Sequence, residues 1–194
     1  MKDLVLASTS SYRRTLLARL GLPFRCLAPR VDEEASKRER GDWEPRELAE
    51  HLAVAKAQSL CQAEPNATLI GSDQLVSFEG RVYGKPGTVE GAVEQLLAMA
   101  GQSHQLITAL AVWAQGQTYI HTDITTMCMR PLSREELERY VAADRPLDCA
   151  GSYKLEERGI SLFDRIETQD YTSIMGLPLI ALTSLLRPLG YPIP

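Results

Sequence analysis

The sequence predicts an α/β fold: a mixed β-sheet flanked by helices. Two observations carry this. Strands and helices alternate early in the chain, whereas long hairpins dominate the middle, and that combination fits a mixed sheet better than a purely parallel one. The 194 residues are 44% hydrophobic and 24% charged, an ordinary balance for a globular protein with a sizeable core. One domain over 1–194 is the expectation.

Leu4 to Ala7 is a short apolar run ending in Ser8-Thr9-Ser10-Ser11, which predicts a buried strand entering a polar turn. Leu16, Leu17 and Leu20 then share one helical face, with Ser10 or Ser11 as N-cap and Gly21 beyond the end. Phe24 to Ala28 is a possible second strand. Residues 30–44 are highly charged and are expected to form a mobile loop. Pro45 opens a helix with Leu48, Leu52 and Ala55 on one face and Lys56 near it.

Thr68 to Gly71 predicts a strand leading into Ser72-Asp73-Gln74. Leu75 to Phe78 continues extended, Glu79-Gly80 turns, and Arg81 to Tyr83 returns. Thr88 caps a helix that Gly101 ends. Leu106 to Trp113 and Tyr119 to Met129 form a long hairpin around Gly116-Gln117. Ser133-Arg134-Glu135-Glu136 is a capping box. Ile160 to Ile166 reads as a strand, and Pro178 starts the last helix.

Composition removes several function classes. The net charge of −4 gives no global basic field for a polynucleotide, so an anionic ligand needs a local positive pocket. Cys26, Cys61, Cys128 and Cys149 form no C-x-x-C pair, which predicts free, buried thiols in a reducing cytosol rather than a zinc site. The N-terminal apolar run is too short for a signal peptide, and no stretch approaches the roughly 20 apolar residues of a membrane span.

Three segments carry chemistry. Arg13 and Arg14 lie in a predicted first helical turn, where backbone N–H groups favour anions; a phosphate site and a solvated basic patch both account for them. Asp73 follows an apolar strand, where by itself an Asx-turn aspartate is the ordinary reading and a carboxylate binding a divalent metal or orienting water is the functional one. Lys85, between Gly84 and Pro86, could meet a phosphate or simply be solvated. Lys56 near an apolar face could snorkel, and the Asp32-Glu33-Glu34 run reads as solvated or as metal-binding. No Walker A, G-x-G-x-x-G, G-x-S-x-G or H-E-x-x-H motif is present.

Taken together, these segments resemble a known family. Leu6-Ala7-Ser8-Thr9-Ser10-Ser11-Tyr12-Arg13-Arg14 resembles the L-A-S-x-S-P-x-R-R opening of Maf-like proteins. Val31-Asp32-Glu33-Glu34, Lys56-Ala57, Gly71-Ser72-Asp73-Gln74, Gly84-Lys85-Pro86, Ala150-Gly151-Ser152-Tyr153 and Gly176-Leu177-Pro178-Leu179 resemble its later blocks, in the same order. The resemblance implies an elongated mixed sheet of the inosine-triphosphatase type, with two lobes and a central cleft. It implies a nucleotide pyrophosphatase, a divalent cation (Mg or Mn), a cytoplasmic setting and a homodimer. Ser8, Arg13, Arg14, Lys56 and Lys85 would hold the polyphosphate. Asp73 would be the catalytic acid–base residue or metal ligand, joined by Glu33. Ser11 stands where the family usually has proline.

The resemblance also bears on substrate. Ser72-Asp73-Gln74 is similar to the branch acting on 7-methyl-GTP, whereas pyrimidine-preferring members read A-D-T. Tyr12 stands where that branch usually has tryptophan and the other has arginine, and Glu156 stands where the other has glutamine. N7 methylation makes guanine cationic, which an aromatic ring and a carboxylate favour and an arginine opposes. The alternatives are a dTTP/UTP or broad non-standard nucleotide pyrophosphatase and, in another class, a nucleotide-binding regulator of septum formation.

Overall fold

The computed structural model describes residues 3–39 and 43–194. Its sheet has seven strands: β1 (Leu4–Ala7), β2 (Arg25–Leu27), β3 (Thr68–Phe78), β4 (Arg81–Tyr83), β5 (Ser103–Ala114), β6 (Gln117–Met129) and β7 (Phe163–Glu167). The order is β2-β1-β3-β5-β6-β7, with β4 paired to β3. β1 runs parallel to β2 and β3, while β3–β4 and β6–β7 are antiparallel, so the sheet is mixed as expected. The helices are α1 (Ser11–Ala18), α2 (Glu33–Glu39), α3 (Pro45–Gln58), α4 (Val89–Met99), α5 (Arg134–Asp144), α6 (Tyr171–Ile174) and α7 (Leu179–Leu186).

The chain forms two compact units. One contains Met1–Asp73, Thr108–Asp123 and Asp170–Pro194; the other contains Gln74–Ile107 and Ile124–Gln169. In the first, Leu6 and Ile70 from the sheet, Leu16 and Leu17 from α1, and Leu182 and Leu186 from α7 pack in one buried apolar cluster. Burying each such side chain contributes about 1.5–3 kcal/mol. In the second, α4 packs against α5, and the rings of His104, Tyr153 and Phe163 meet in tilted and edge-on contacts with centroids 5.0–5.8 Å apart.

Several local expectations hold for the expected reasons. The Ser10 hydroxyl caps α1, Pro45 occupies the first turn of α3, Thr88 caps α4, and Ser133 and Glu136 complete a capping box on α5. The four cysteines are free, but none is buried as expected: Cys26 is exposed and Cys61, Cys128 and Cys149 are half-buried. Among the described residues, no helix is long and apolar enough to cross a membrane.

Four expectations are corrected. The charged segment is not all loop, because Glu33–Glu39 is helical. The Asp32 carboxylate accepts the Ala35 amide at 2.9 Å, starting a run of good helix formers. The rest of that expected loop at 40–42 lies outside the described residues. Ser11 does not cap α1 but is its first helical residue, the very position where a proline fits. The strand expected from Ile160 begins only at Phe163, after a 3-10 turn over Arg158–Leu162. Asp73 is not at a strand end: β3 runs unbroken from Thr68 to Phe78, and Asp73 lies within it, buried.

Candidate active site

The site is built on β3. Successive strand side chains alternate between faces, so Gly71 and Asp73 share one face and Ser72 takes the other. On the first face lies α3. A Cβ on Gly71 would sit 2.1 Å from the Ala53 carbonyl oxygen and 2.7 Å from the Ala57 nitrogen. Only glycine admits α3 this close to the strand, and the approach delivers Lys56, between those two alanines, to Asp73.

Lys56 does not snorkel; it is only 4% exposed, as is Asp73. Its ammonium donates to Asp73 Oδ1 at 2.7 Å and also lies 3.1 Å from the Glu33 carboxylate. The Lys56–Asp73 pair is therefore largely desolvated, where charge interactions are far stronger than in water, while Glu33 meets the same ammonium from a partly exposed position. Removing one partner from such a buried group typically costs about 3–5 kcal/mol. The second oxygen, Asp73 Oδ2, is buried with no hydrogen-bond partner among the described residues. An unsatisfied carboxylate oxygen is expensive to bury and marks a place for a proton, a water or a cation.

α1 brings the arginines. Ser8 follows β1, is buried, and its hydroxyl accepts the Ser10 amide at 3.1 Å; the Ser10 hydroxyl in turn accepts the Arg13 amide at 3.4 Å. This fixes the hydroxyl turn that starts the helix. Arg13 donates its Nε to the Gly176 carbonyl at 2.9 Å. Burial pushes the Arg13 guanidinium down from its ordinary pKa, while the negative charges of Asp73 and Glu33 pull the other way. A cation in a first helical turn opposes the helix dipole. For Arg13 those two carboxylates offset that penalty.

Ser8, Arg13, Lys56, Glu33 and Asp73 thus gather in the first unit. Arg14 is exposed and borders a groove with Thr15, Leu22, Pro23 and Phe24, so it departs from Arg13 by the turn of the helix. Tyr12 is 43% exposed. In the second unit, Lys85 is exposed on the loop between β4 and α4, and Gln74 is half-buried in β3. Glu156 is exposed beyond a tight turn in which Gly151 and Ser152 both have positive φ. A Cβ on Gly151 would meet Val76 at 2.7 Å, and the Ser152 hydroxyl donates to Gln95 at 2.6 Å, which holds that unusual backbone.

Sequence reasoning misses the other face of β3. There the Ser72 hydroxyl donates to the same Gly176 carbonyl, at 2.8 Å. The Gly176 turn is fixed by Asp170, whose carboxylate accepts from Thr172 N, Thr172 Oγ1 and Ile180 N, and by Thr172 Oγ1, which accepts Leu179 N. The available signal is Asp170-Tyr171-Thr172, an N-cap pattern just before a Gly-x-Pro break.

A divalent cation can be tested against this donor set. Among the described residues no three His, Cys, Asp or Glu side chains group to hold a metal by themselves. Asp73 with its spare Oδ2 and the nearby Glu33 nevertheless fit a cation of the magnesium kind, which is usually held by one or two carboxylates, waters and substrate phosphates.

The fold and site define a class: an open mixed-sheet α/β protein with a buried carboxylate–ammonium group beside an arginine at a helix start. The Ham1 protein of Staphylococcus aureus has this fold, superposing with a TM-score of 0.52 at 13% identity over 96% of this chain and 99% of that one. Residues 3–189 match the family model described as Maf-like protein, and the chain belongs to that family. Among its relatives, a protein of Bdellovibrio bacteriovorus named 7-methyl-GTP pyrophosphatase is 52% identical over 96% of each chain. Proteins of the same name from Xanthomonas axonopodis pv. citri and Pseudomonas putida are each 47% identical over the full length of both chains.

Proposed function

We propose that this chain hydrolyses 7-methyl-GTP to 7-methyl-GMP and pyrophosphate, removing a modified nucleotide. The observation that carries the chemistry is the buried Asp73, held by Lys56 through one oxygen and left with the other unpartnered among the described residues. Support for the substrate comes from the relatives so named and from the Ser72-Asp73-Gln74 block.

Ser8, Arg13, Arg14, Lys56 and Lys85 are assigned to the polyphosphate. The positive charge of the four basic residues offsets the repulsion that a polyanion presents to an attacking water and stabilises the charge on the departing pyrophosphate, while the Ser8 hydroxyl offers a neutral hydrogen bond. Water forms the new P–O bond, the phosphoanhydride bond breaks, and the water proton passes to the free oxygen of Asp73. Where Asp73 serves as a metal ligand instead, it and Glu33 would hold a magnesium or manganese ion, which would lower the pKa of bound water and shield phosphate charge. Tyr12, Gln74 and Glu156 are assigned to base selection: the ring and the carboxylate suit a cationic, N7-methylated guanine with N1–H and amino donors. A single domain over 1–194, acting as a homodimer in the cytoplasm, completes the reading.

The test is pyrophosphate release from a panel of 7-methyl-GTP, GTP, ITP, dTTP and UTP, with and without magnesium or manganese. Release from 7-methyl-GTP ahead of the others, dependent on the cation, supports the proposal. Nucleotide binding without turnover would instead favour a regulatory protein, and uniform turnover a broad pyrophosphatase.

A further inference from the structure

The catalytic strand and the arginine-bearing helix meet on a single atom. Ser72 Oγ and Arg13 Nε both donate to the Gly176 carbonyl oxygen, at 2.8 and 2.9 Å. Ser72 is wholly buried and immediately precedes Asp73. Gly176 has φ +98°, and a Cβ there would lie 3.3 Å from Arg13 Nε, so a side chain would both strain the turn and push on the guanidinium. Asp170 and Thr172 hold the turn from beneath.

We propose that the Gly176 carbonyl and Ser72 are positioning groups that aim the Arg13 guanidinium at the polyphosphate. The inference rests on the reading that Arg13 binds phosphate. Its physical basis is the choice of acceptor. A neutral carbonyl on Nε fixes the plane of the guanidinium without cancelling its charge, and leaves the two terminal NH2 groups to grip a phosphate bidentately. A carboxylate in that place would fix the plane and neutralise the group. The Ser72 bond holds the carbonyl where both donors reach it, and ties the aim of Arg13 to the strand that carries Asp73. Orientation of this kind acts through geometry, where small misplacements reduce both binding and rate.

The experiment measures binding of inorganic pyrophosphate by calorimetry, in the presence of magnesium, for wild type, Ser72→Ala, Arg13→Ala and the double variant. Arg13→Ala should weaken binding by at least tenfold. Ser72→Ala should weaken it by about threefold to tenfold, the range for one neutral hydrogen bond, and should add nothing in the Arg13→Ala background. Gly176→Ala, run through the same cycle, replaces Ser72→Ala should that variant not fold, and should show the same dependence on Arg13. Unchanged binding in folded Ser72→Ala and Gly176→Ala, or equal losses with and without Arg13, would overturn the positioning role while leaving Arg13 on the phosphate. Unchanged binding in Arg13→Ala itself would remove Arg13 from the phosphate site and the inference with it.

Discussion

The Lys56 ammonium and the Asp73 carboxylate form a 2.7 Å ion pair inside the protein, where the missing side chain of Gly71 lets α3 approach the strand. The pair ties chemistry to folding. Lys56 holds one oxygen of Asp73 in place, so the other keeps a fixed direction, and Glu33 shares the same ammonium at 3.1 Å. A lysine in this position also supplies a charge that a polyphosphate can recruit.

Asp73→Asn should lower kcat about 10²–10⁴-fold, the span for loss of acid–base help. Because Asp73 is buried and paired, the change should also cost about 1–3 kcal/mol of stability, as Asn keeps an oxygen for Lys56 but not the charge. Steady-state pyrophosphate release and urea unfolding read the two effects. Near-normal turnover in the folded variant would take Asp73 out of the mechanism.

Gly71→Ala is the corresponding packing experiment. Its Cβ would overlap the Ala53 carbonyl oxygen at 2.1 Å, and backbone cannot yield as a flexible side chain does. Over-packing of this kind costs about 1–3 kcal/mol or more. We expect a lower unfolding midpoint together with loss of activity exceeding that of an equally destabilised core variant such as Leu182→Val. Equal activity in the two would separate the helix approach from the site.

Ser11→Pro should stabilise the protein. Ser11 is the first residue of α1, and Ser10 before it has φ −69° and ψ 122°, an extended backbone that a following proline accepts. The expected gain is about 0.4–1 kcal/mol, mainly from a less flexible unfolded chain. Differential scanning calorimetry would register a rise in Tm of a few degrees; a fall would show that the Ser11 amide is needed.

Stability should decline in acid through His104. Its ring is buried, one nitrogen meets the Tyr153 hydroxyl at 3.1 Å, and the other has no partner among the described residues. Burial pushes the imidazole down to about 4 from an ordinary 6.5. The unfolded chain therefore takes up a proton first as pH falls. The contribution is full above pH 6.5 and is lost progressively toward pH 4, amounting to about 3 kcal/mol. Urea midpoints between pH 7 and 4 should fall more steeply for wild type than for His104→Leu; parallel slopes would contradict the assignment.

Much of this architecture is legible in sequence, because its signals are local. Ser10, Thr88, Ser133 and Pro45 act within one helical turn, and the Glu79-Gly80 and Gln115-Gly116 turns join adjacent strands. The site residues are legible as types, and the Maf-like blocks identify them together. The burial of Lys56 and the mid-strand place of Asp73 are not legible, since both depend on a helix and a strand 17 residues apart meeting across Gly71. Nor is the Gly176 carbonyl, whose partners Ser72 and Arg13 lie 104 and 163 residues away and whose side chain carries no chemistry. The helix over Glu33–Glu39 has no clear apolar stripe in its sequence, so periodicity does not reveal it.

The most direct measurement is kcat/KM for 7-methyl-GTP, GTP, dTTP and UTP on one preparation, repeated with Glu156→Gln. A clear lead for 7-methyl-GTP, eroded by Glu156→Gln while the other nucleotides change little, is the predicted result. Equal or higher values for dTTP or UTP would contradict the assignment.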